Sequence, residues 1–165
     1  MKKVILLVLL LTVAALAASD LKVGDSAPTP EAVDQDGKPV ELAKLYQEGI
    51  VLVYFYPKAD TPGCTAQACS LRDAYTDLSE AGLTVIGVST DKAEAQKAFK
   101  AKYKLPFRLI PDPGQTVLRA FGVPTLVGVA NREAFLIKDG KVVWHDSHAS
   151  TKKQAQDVLA ELKRL

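Results

Sequence analysis

The sequence predicts an α/β sandwich in which a mixed, mostly parallel central sheet carries helices on both faces. Two apolar, β-branched runs, residues 50–56 and 83–89, have the composition of strands buried on both sides. Segments with helical spacing of apolar residues follow them. Near the C-terminus, Asp139-Gly140 separates two short apolar segments, which predicts an antiparallel hairpin at the edge of the sheet.

Turn, breaker and capping residues give the order of the elements. Asp36-Gly37 predicts an N-terminal β-hairpin. Asp91 with Glu94, and Thr151 with Gln154, match the capping box that begins a helix. The predicted order is strands 31–35 and 38–42, strand 50–56, helix 63–81, strand 83–89, helix 91–104, strand 107–110, helix 115–121, strands 134–137 and 142–145, and a last helix of the C-terminal residues. Strands that alternate with helices give a parallel sheet with right-handed crossovers, and the closing hairpin adds an antiparallel edge. This mixed α/β sandwich is the thioredoxin-like arrangement.

The charge balance excludes a strongly basic or acidic partner. The 165 residues contain 21 Lys and Arg against 19 Asp and Glu, for a net charge of +2. Without Lys2 and Lys3, which lie in a segment predicted to be removed, the balance is 19 against 19. A neutral chain without a basic block is a poor candidate for nucleic-acid binding. Two cysteines are too few for a disulfide scaffold.

Residues 1–17 have the pattern of a signal peptide. Lys2 and Lys3 precede an apolar run, and Ala15-Leu16-Ala17 fits the small-x-small cleavage rule. Cleavage after Ala17 would leave one domain, residues 18–165, exported to the periplasm or secreted and free of the membrane. The alternative is an uncleaved membrane anchor, for which the apolar run is short. Export implies an oxidising compartment, where a disulfide can persist.

Cys64 is the strongest candidate for a reactive residue. It lies in the first turn of the helix predicted after strand 50–56, where free amide groups and the helix dipole favour a thiolate. Pro62 is suited to a helix start, and Gly63 permits close approach of a small substrate. Cys64 shares the apolar stripe of this helix, whereas Cys69 lies on another face.

The surrounding motif resembles that of the peroxiredoxins. It reads Y-P-x-x-x-T-P-G-C-T-x-Q-x-C-x-x-R-D over residues 56–73, and the second cysteine five positions on is similar to the peroxiredoxin Q (bacterioferritin comigratory protein) branch. The resemblance implies that Cys64 is the peroxidatic cysteine and Cys69 the resolving cysteine, joined by a transient intramolecular disulfide. It implies that the Thr61 hydroxyl contacts the attacking sulfur and the peroxide, and that Pro57 shields the pocket.

The same family has an arginine before the strand that opens the last hairpin, in a pattern similar to R-x-T-F-L-I-D. Here residues 132–138 read R-E-A-F-L-I-K, so Arg132 occupies this position while Ala134 and Lys138 depart from the pattern. A fixed cation beside a thiolate stabilises it and the charge on the departing oxygen. The short apolar stretch 122–131 also departs from the family and is expected to alter a pocket wall or an oligomer surface.

The resemblance implies a monomeric peroxidase without cofactor or metal, which reduces hydrogen peroxide and small organic hydroperoxides and is recycled by a thioredoxin-like dithiol protein. One alternative is an exported thiol–disulfide oxidoreductase on the same fold, although that chemistry normally uses Cys-x-x-Cys. Two others are a binding domain with a structural disulfide and a metal site formed by Cys64, Cys69, His145 and His148.

Overall fold

A five-stranded mixed sheet forms the centre of the computed structural model, which describes residues 21–165. The strands are β1 (Ile50–Phe55), β2 (Leu83–Ser89), β3 (Arg108–Pro111), β4 (Thr125–Leu126), β5 (Val129–Ala130), β6 (Glu133–Lys138) and β7 (Lys141–Asp146). The helices are α1 (Leu42–Glu48), α2 (Pro62–Asp73), α3 (Tyr75–Glu80), α4 (Ala93–Tyr103), α5 (Thr116–Ala120) and α6 (Gln154–Leu162). The central sheet has the order β3-β2-β1-β6-β7. Strands β1, β2 and β3 pair in parallel, and β6 and β7 complete the sheet antiparallel.

Helices cover both faces of this sheet, as predicted. On one face the core includes side chains from α2, α3, α4 and α6, and on the other face side chains from α1 and α5. Residues Val51 to Phe55 of β1 are fully buried, and they alternate between the two cores. The predicted thioredoxin-like fold is therefore confirmed, and the carboxyl end of β1 opens onto the start of α2.

The predicted N-terminal hairpin is reduced to one isolated bridge, between Val33 and Pro39. Proline has no N–H group, so the ladder cannot extend through it as it does between ordinary strands. The Asp34 side chain stabilises the turn instead, because its Oδ1 accepts the backbone N–H groups of Asp36 and Lys38 at 2.9 and 3.0 Å. The chain then enters α1, a helix that the sequence analysis did not predict.

The helix predicted over 63–81 is interrupted at Ala74, which separates α2 from α3. Gly82 ends α3 with a φ of +75°, as its position predicts. The capping box predicted from Asp91 and Glu94 is wrong. Helix α4 follows Lys92 without a side-chain cap, since Asp91 Oδ2 accepts the Ala59 N–H and the Ser89 hydroxyl, both at 2.7 Å.

The capping box predicted from Thr151 and Gln154 is also wrong. Helix α6 begins at Gln154, and the residue before it, Lys153, makes no side-chain cap. The Gln154 side chain is buried and turns to α2, where it bonds Gln67. The N-terminus of α6 is capped from outside its own sequence, because Ser70 Oγ of α2 accepts the Ala155 N–H at 3.2 Å.

A short hairpin, β4–β5, occupies the stretch 122–131 that departs from the family pattern. Val127 and Gly128 form its tip with φ values of +51° and +78°. Leu126 and Val127 are 70% and 96% exposed. This apolar tip precedes β6 by only a few residues.

The predicted leader, residues 1–17, and its cleavage site lie outside the described residues. Within residues 21–165, no helix is long and apolar enough to cross a membrane.

Candidate active site

Cys64 is the third residue of α2, immediately beyond the carboxyl end of β1. Thr61 precedes the helix in an extended conformation, Pro62 is its first residue, and the first helical hydrogen bond joins Thr65 N–H to Thr61 O at 2.8 Å. The Cys64 side chain is only 1% exposed. The thiol therefore lies at the positive end of the helix dipole, among backbone amides that have no helical acceptor.

The guanidinium group of Arg132 forms a hydrogen bond with the Cys64 sulfur. Its Nη2 lies 3.4 Å from Cys64 Sγ. The topology explains the approach, because β6 runs antiparallel to β1 and pairs Glu133 with Phe55. Arg132, one residue before β6, thus reaches the edge of the sheet at which β1 ends. A cation at this distance stabilises negative charge on the sulfur.

A buried glutamine, Gln67, holds Arg132 and is itself held by a second one, Gln154; the sequence analysis assigned neither of them a role in the active site. Arg132 Nη1 donates to Gln67 Oε1, and Gln67 Nε2 donates to Gln154 Oε1 at 2.7 Å. Both glutamine side chains are fully buried. Gln67 is the glutamine of the quoted motif and faces inward on α2, which was a usable signal. No sequence signal placed Gln154 in the site, because its contact with Gln67 depends on how α6 docks against α2.

The Thr61 hydroxyl is engaged within the loop that carries it. It donates to the Lys58 carbonyl at 3.0 Å. That bond stabilises the loop between β1 and α2, and it leaves the oxygen of Thr61 free to accept a hydrogen bond. Pro57 lies two residues beyond the end of β1 and is half-buried, at the start of this loop.

The loop that carries Thr61 is tied to α4 and to the end of β2. Ala59 N–H donates to Asp91 Oδ2 at 2.7 Å. Asp60, with a φ of +60°, accepts from Lys102 Nζ at 2.8 Å and from the Tyr103 hydroxyl at 2.6 Å. The hydrogen bond from Lys102 is the main cause that holds the pKa of the Asp60 carboxyl below its usual value. The backbone before Cys64 is thus fixed at two successive residues.

Cys69 is half-buried one turn further along α2, and both cysteines are free thiols. Arg72, on the same face, pairs with Asp73 at 2.7 Å and donates to the Tyr103 carbonyl at 2.9 Å. The hydrogen bond that Arg72 donates to the Asp73 carboxylate raises the pKa of the guanidinium. Helix α2 is continuous through both cysteines, so their side chains leave it in different directions.

The two histidines of the proposed metal set have other partners. His145 Nε2 lies 2.8 Å from Glu133 Oε2, and its ring stacks on Phe135 with a centroid distance of 4.1 Å. His148 Nδ1 lies 2.9 Å from Ser147 Oγ. Across residues 21–165, no group of three or more His, Cys, Asp or Glu side chains could hold a metal ion.

Known proteins resemble this chain over most of its length. The AhpC/TSA family matches residues 23–145. A chloroplastic peroxiredoxin Q from Sedum lineare is 45% identical over 122 residues, which are 73% of this chain and 65% of that protein. Peroxiredoxin Bcp from Escherichia coli (strain K12) is 47% identical over 131 residues, 74% of this chain and 83% of that protein. The match to a chloroplastic peroxiredoxin Q from Oryza sativa subsp. japonica, at 46% identity, spans only 56% of the length of that protein.

Solved structures share the same fold. Peroxidoxin BcpB from Mycobacterium tuberculosis aligns with a TM-score of 0.82 and 35% identity, over 88% of this chain and 98% of that chain. Peroxiredoxin Q from Xanthomonas campestris aligns with a TM-score of 0.78 and 27% identity, over 90% of this chain and 98% of that one. The AhpC/TSA match over residues 23–145 includes both cysteines and Arg132.

Proposed function

The chain belongs to the AhpC/TSA family, in the branch of peroxiredoxin Q and Bcp, and we propose that it is a thiol-dependent peroxidase with Cys64 as the nucleophile. One observation carries the proposal: Cys64 Sγ lies in the first turn of α2 with Arg132 Nη2 at 3.4 Å. Both features favour the thiolate, which is the reactive form of cysteine. The loop of Pro57 and Thr61 forms the approach for a small substrate.

In the first step, the Cys64 thiolate attacks one oxygen of a hydroperoxide. An S–O bond forms, the O–O bond breaks, and the departing oxygen leaves as hydroxide or alkoxide, which takes up a proton to become water or an alcohol. Cys64 becomes a sulfenic acid. Arg132 stabilises the negative charge as it moves from sulfur to the departing oxygen. The oxygen of Thr61, whose hydroxyl donates a hydrogen bond to Lys58 O, can accept a hydrogen bond from the peroxide and orient it.

In the second step, the Cys69 thiolate attacks the Cys64 sulfur. An S–S bond forms and hydroxide leaves, which becomes water on protonation. A dithiol protein of thioredoxin type then reduces the disulfide by thiol–disulfide exchange and is itself oxidised. We propose that the substrates are hydrogen peroxide and small organic hydroperoxides, because Cys64 is almost completely buried, and that the protein acts as a monomer.

A peroxide-consumption assay tests this function. The purified protein, supplied with thioredoxin, its reductase and NADPH, should consume hydrogen peroxide catalytically. The same mixture without the protein is the control. Absence of catalysis with both thioredoxin and a small dithiol would contradict the peroxidase proposal, whereas activity with the small dithiol alone would contradict only the proposed reductant.

Replacement of Arg132 by glutamine should slow the attack of Cys64 on peroxide by at least about tenfold, because a hydrogen bond to a charged group is lost from the site. Rapid-mixing measurement of sulfenic acid formation checks this result. Arg132→Lys keeps the charge but not the two-pronged contact with Cys64 and Gln67, so an intermediate rate is expected. A rate in Arg132→Gln equal to that of the wild type would exclude Arg132 from the reaction.

We also propose that residues 1–17 are a cleaved export signal, and that the exported protein begins at Ala18. N-terminal sequencing of the protein recovered from an exporting host tests this proposal. Recovery of the chain with Met1 in the membrane fraction would instead support the uncleaved anchor.

A further inference from the structure

Helices α2 and α6 are joined beside the proposed active site by two polar contacts. Gln67 Nε2 donates to Gln154 Oε1 at 2.7 Å, and Ala155 N–H donates to Ser70 Oγ at 3.2 Å. Gln67 and Gln154 are both fully buried, so water does not replace the hydrogen bond between them. The two contacts lie one helical turn apart on α2, and only the first of them continues to Arg132.

The chemistry of the donors fixes the direction of the first contact. A guanidinium group has donors and no acceptor, so Gln67 must present its Oε1 to Arg132. Its Nε2 then points away and needs an acceptor, which Gln154 Oε1 supplies. Gln154 Nε2 has no hydrogen-bond partner within the described part of the chain. A buried amide that leaves one group unpaired is costly, and the one side-chain bond that it makes orients Gln67.

We propose that Gln154 is a positioning residue of the peroxidatic site, which acts through Gln67 to hold Arg132 against Cys64. This inference rests on the proposed peroxidase function. Without the Gln154 acceptor, the Gln67 carboxamide is free to rotate and can turn its NH2 group toward the guanidinium. Arg132 then loses a fixed acceptor, and its Nη2 is no longer held at the sulfur.

Gln154 has a second, opposite effect on the step that forms the disulfide. Cys69 lies between Gln67 and Ser70 on α2, so unwinding of this segment breaks both contacts to α6. Removal of either contact should therefore ease unwinding and accelerate disulfide formation. Only the removal of the Gln154 contact should also slow the attack on peroxide. A merely structural role of Gln154 would not produce this separation of the two steps.

The test measures both steps in the reduced protein after rapid mixing with hydrogen peroxide, by acid quenching and mass spectrometry of the sulfenic acid and disulfide forms. Gln154→Met, of similar volume and with only the weak acceptor of a thioether sulfur, should slow sulfenic acid formation about tenfold. Its disulfide step should be faster than that of the wild type. Ser70→Ala is the matched control: its attack on peroxide should be unchanged and its disulfide step faster.

Two further variants connect Gln154 with Arg132. Gln154→Glu keeps an acceptor for Gln67 Nε2 and should react within about threefold of the wild-type rate. In an Arg132→Gln background, Gln154→Met should cause no additional loss, because the residue through which it acts is already absent. If Gln154→Met shows no cooperative thermal transition, Gln154→Leu replaces it with the same expectations.

Two results would overturn the inference: an unchanged rate of sulfenic acid formation in Gln154→Met, or a full tenfold loss that persists in the Arg132→Gln background. Failure of the proposed function has a different signature, since the wild-type protein itself would then form no sulfenic acid.

Discussion

Replacement of Cys64 by serine should abolish peroxide turnover, to less than about one thousandth of the wild-type rate. A serine hydroxyl is not ionised at neutral pH, and the helix N-terminus and Arg132 cannot convert it into a comparable nucleophile. Cys69→Ser should instead retain one turnover per molecule, because Cys64 can still be oxidised. Its sulfenic acid then persists, since no thiol of the same chain resolves it.

Single-turnover and steady-state measurements on the two variants separate these roles. Cys69→Ser should react with one equivalent of peroxide at the wild-type rate and then fail to recycle with a thioredoxin-type dithiol. Both variants should melt near the wild-type temperature, because each replaces one sulfur atom by oxygen. Equal loss of the first turnover in the two variants would contradict the assignment of Cys64 as the peroxidatic residue.

The central elements of the fold were predictable because their signals are local. The run at β1 is apolar at every position, and only a strand covered on both faces accommodates such a sequence. The turn at Asp139-Gly140, with φ values of +51° and +71°, is likewise encoded in two adjacent residues. The two capping boxes show the limit, because both failed although the Asp-Gly turn was found.

Those failures have one physical cause. A side chain that could cap its own helix can make a stronger bond elsewhere once the chain is folded. Asp91 accepts the Ala59 N–H and the Ser89 hydroxyl instead, and Gln154 bonds Gln67 on a different helix. Local sequence cannot rank these alternatives, because the competing partners are 32 and 87 residues away.

The residues of the candidate site likewise include some that a local motif predicts and some that depend on distant packing. Cys64 and Arg132 were selected from motifs, and the structure brings them to 3.4 Å. The glutamines that hold Arg132 were missed, since their arrangement depends on the docking of α6. The motif did not predict that the Thr61 hydroxyl donates to a carbonyl three residues upstream, and the contact of Thr61 with the sulfur and the peroxide stays a prediction.

Oxidation should unwind α2 around the two cysteines. Residues five positions apart on an α-helix are separated by a rise of about 7.5 Å, and their Cα atoms by roughly 8–9 Å. A disulfide requires Cα atoms within about 7 Å and side chains that face each other. Helix α2 is continuous from Pro62 to Asp73 with both cysteines free, so the geometry of the structure is that of a reduced state and is incompatible with the disulfide.

Hydrogen exchange should therefore accelerate by more than about a thousandfold at the amides of residues 64–72 when the disulfide forms. The amides of β1 and β2 serve as an internal control, and their protection should persist because the sheet does not contain the cysteines. Mass spectrometry of the same samples establishes that the disulfide is complete. Unchanged protection of residues 64–72 in a fully oxidised sample would show that the bond forms without unwinding.

The extent of unwinding depends on where α2 is anchored. Its first turn is held by the Thr65 N–H to Thr61 O bond, while its middle is attached to α6 by Gln67 and Ser70. The break at Ala74 lies just beyond Arg72, so the helix can unwind up to that point without disturbing α3. Protection should consequently fall across α2 and at the first turn of α6, which loses the cap that Ser70 provides. Retained protection at Ala155 in the disulfide form would mean that the chain around Ser70 stays helical.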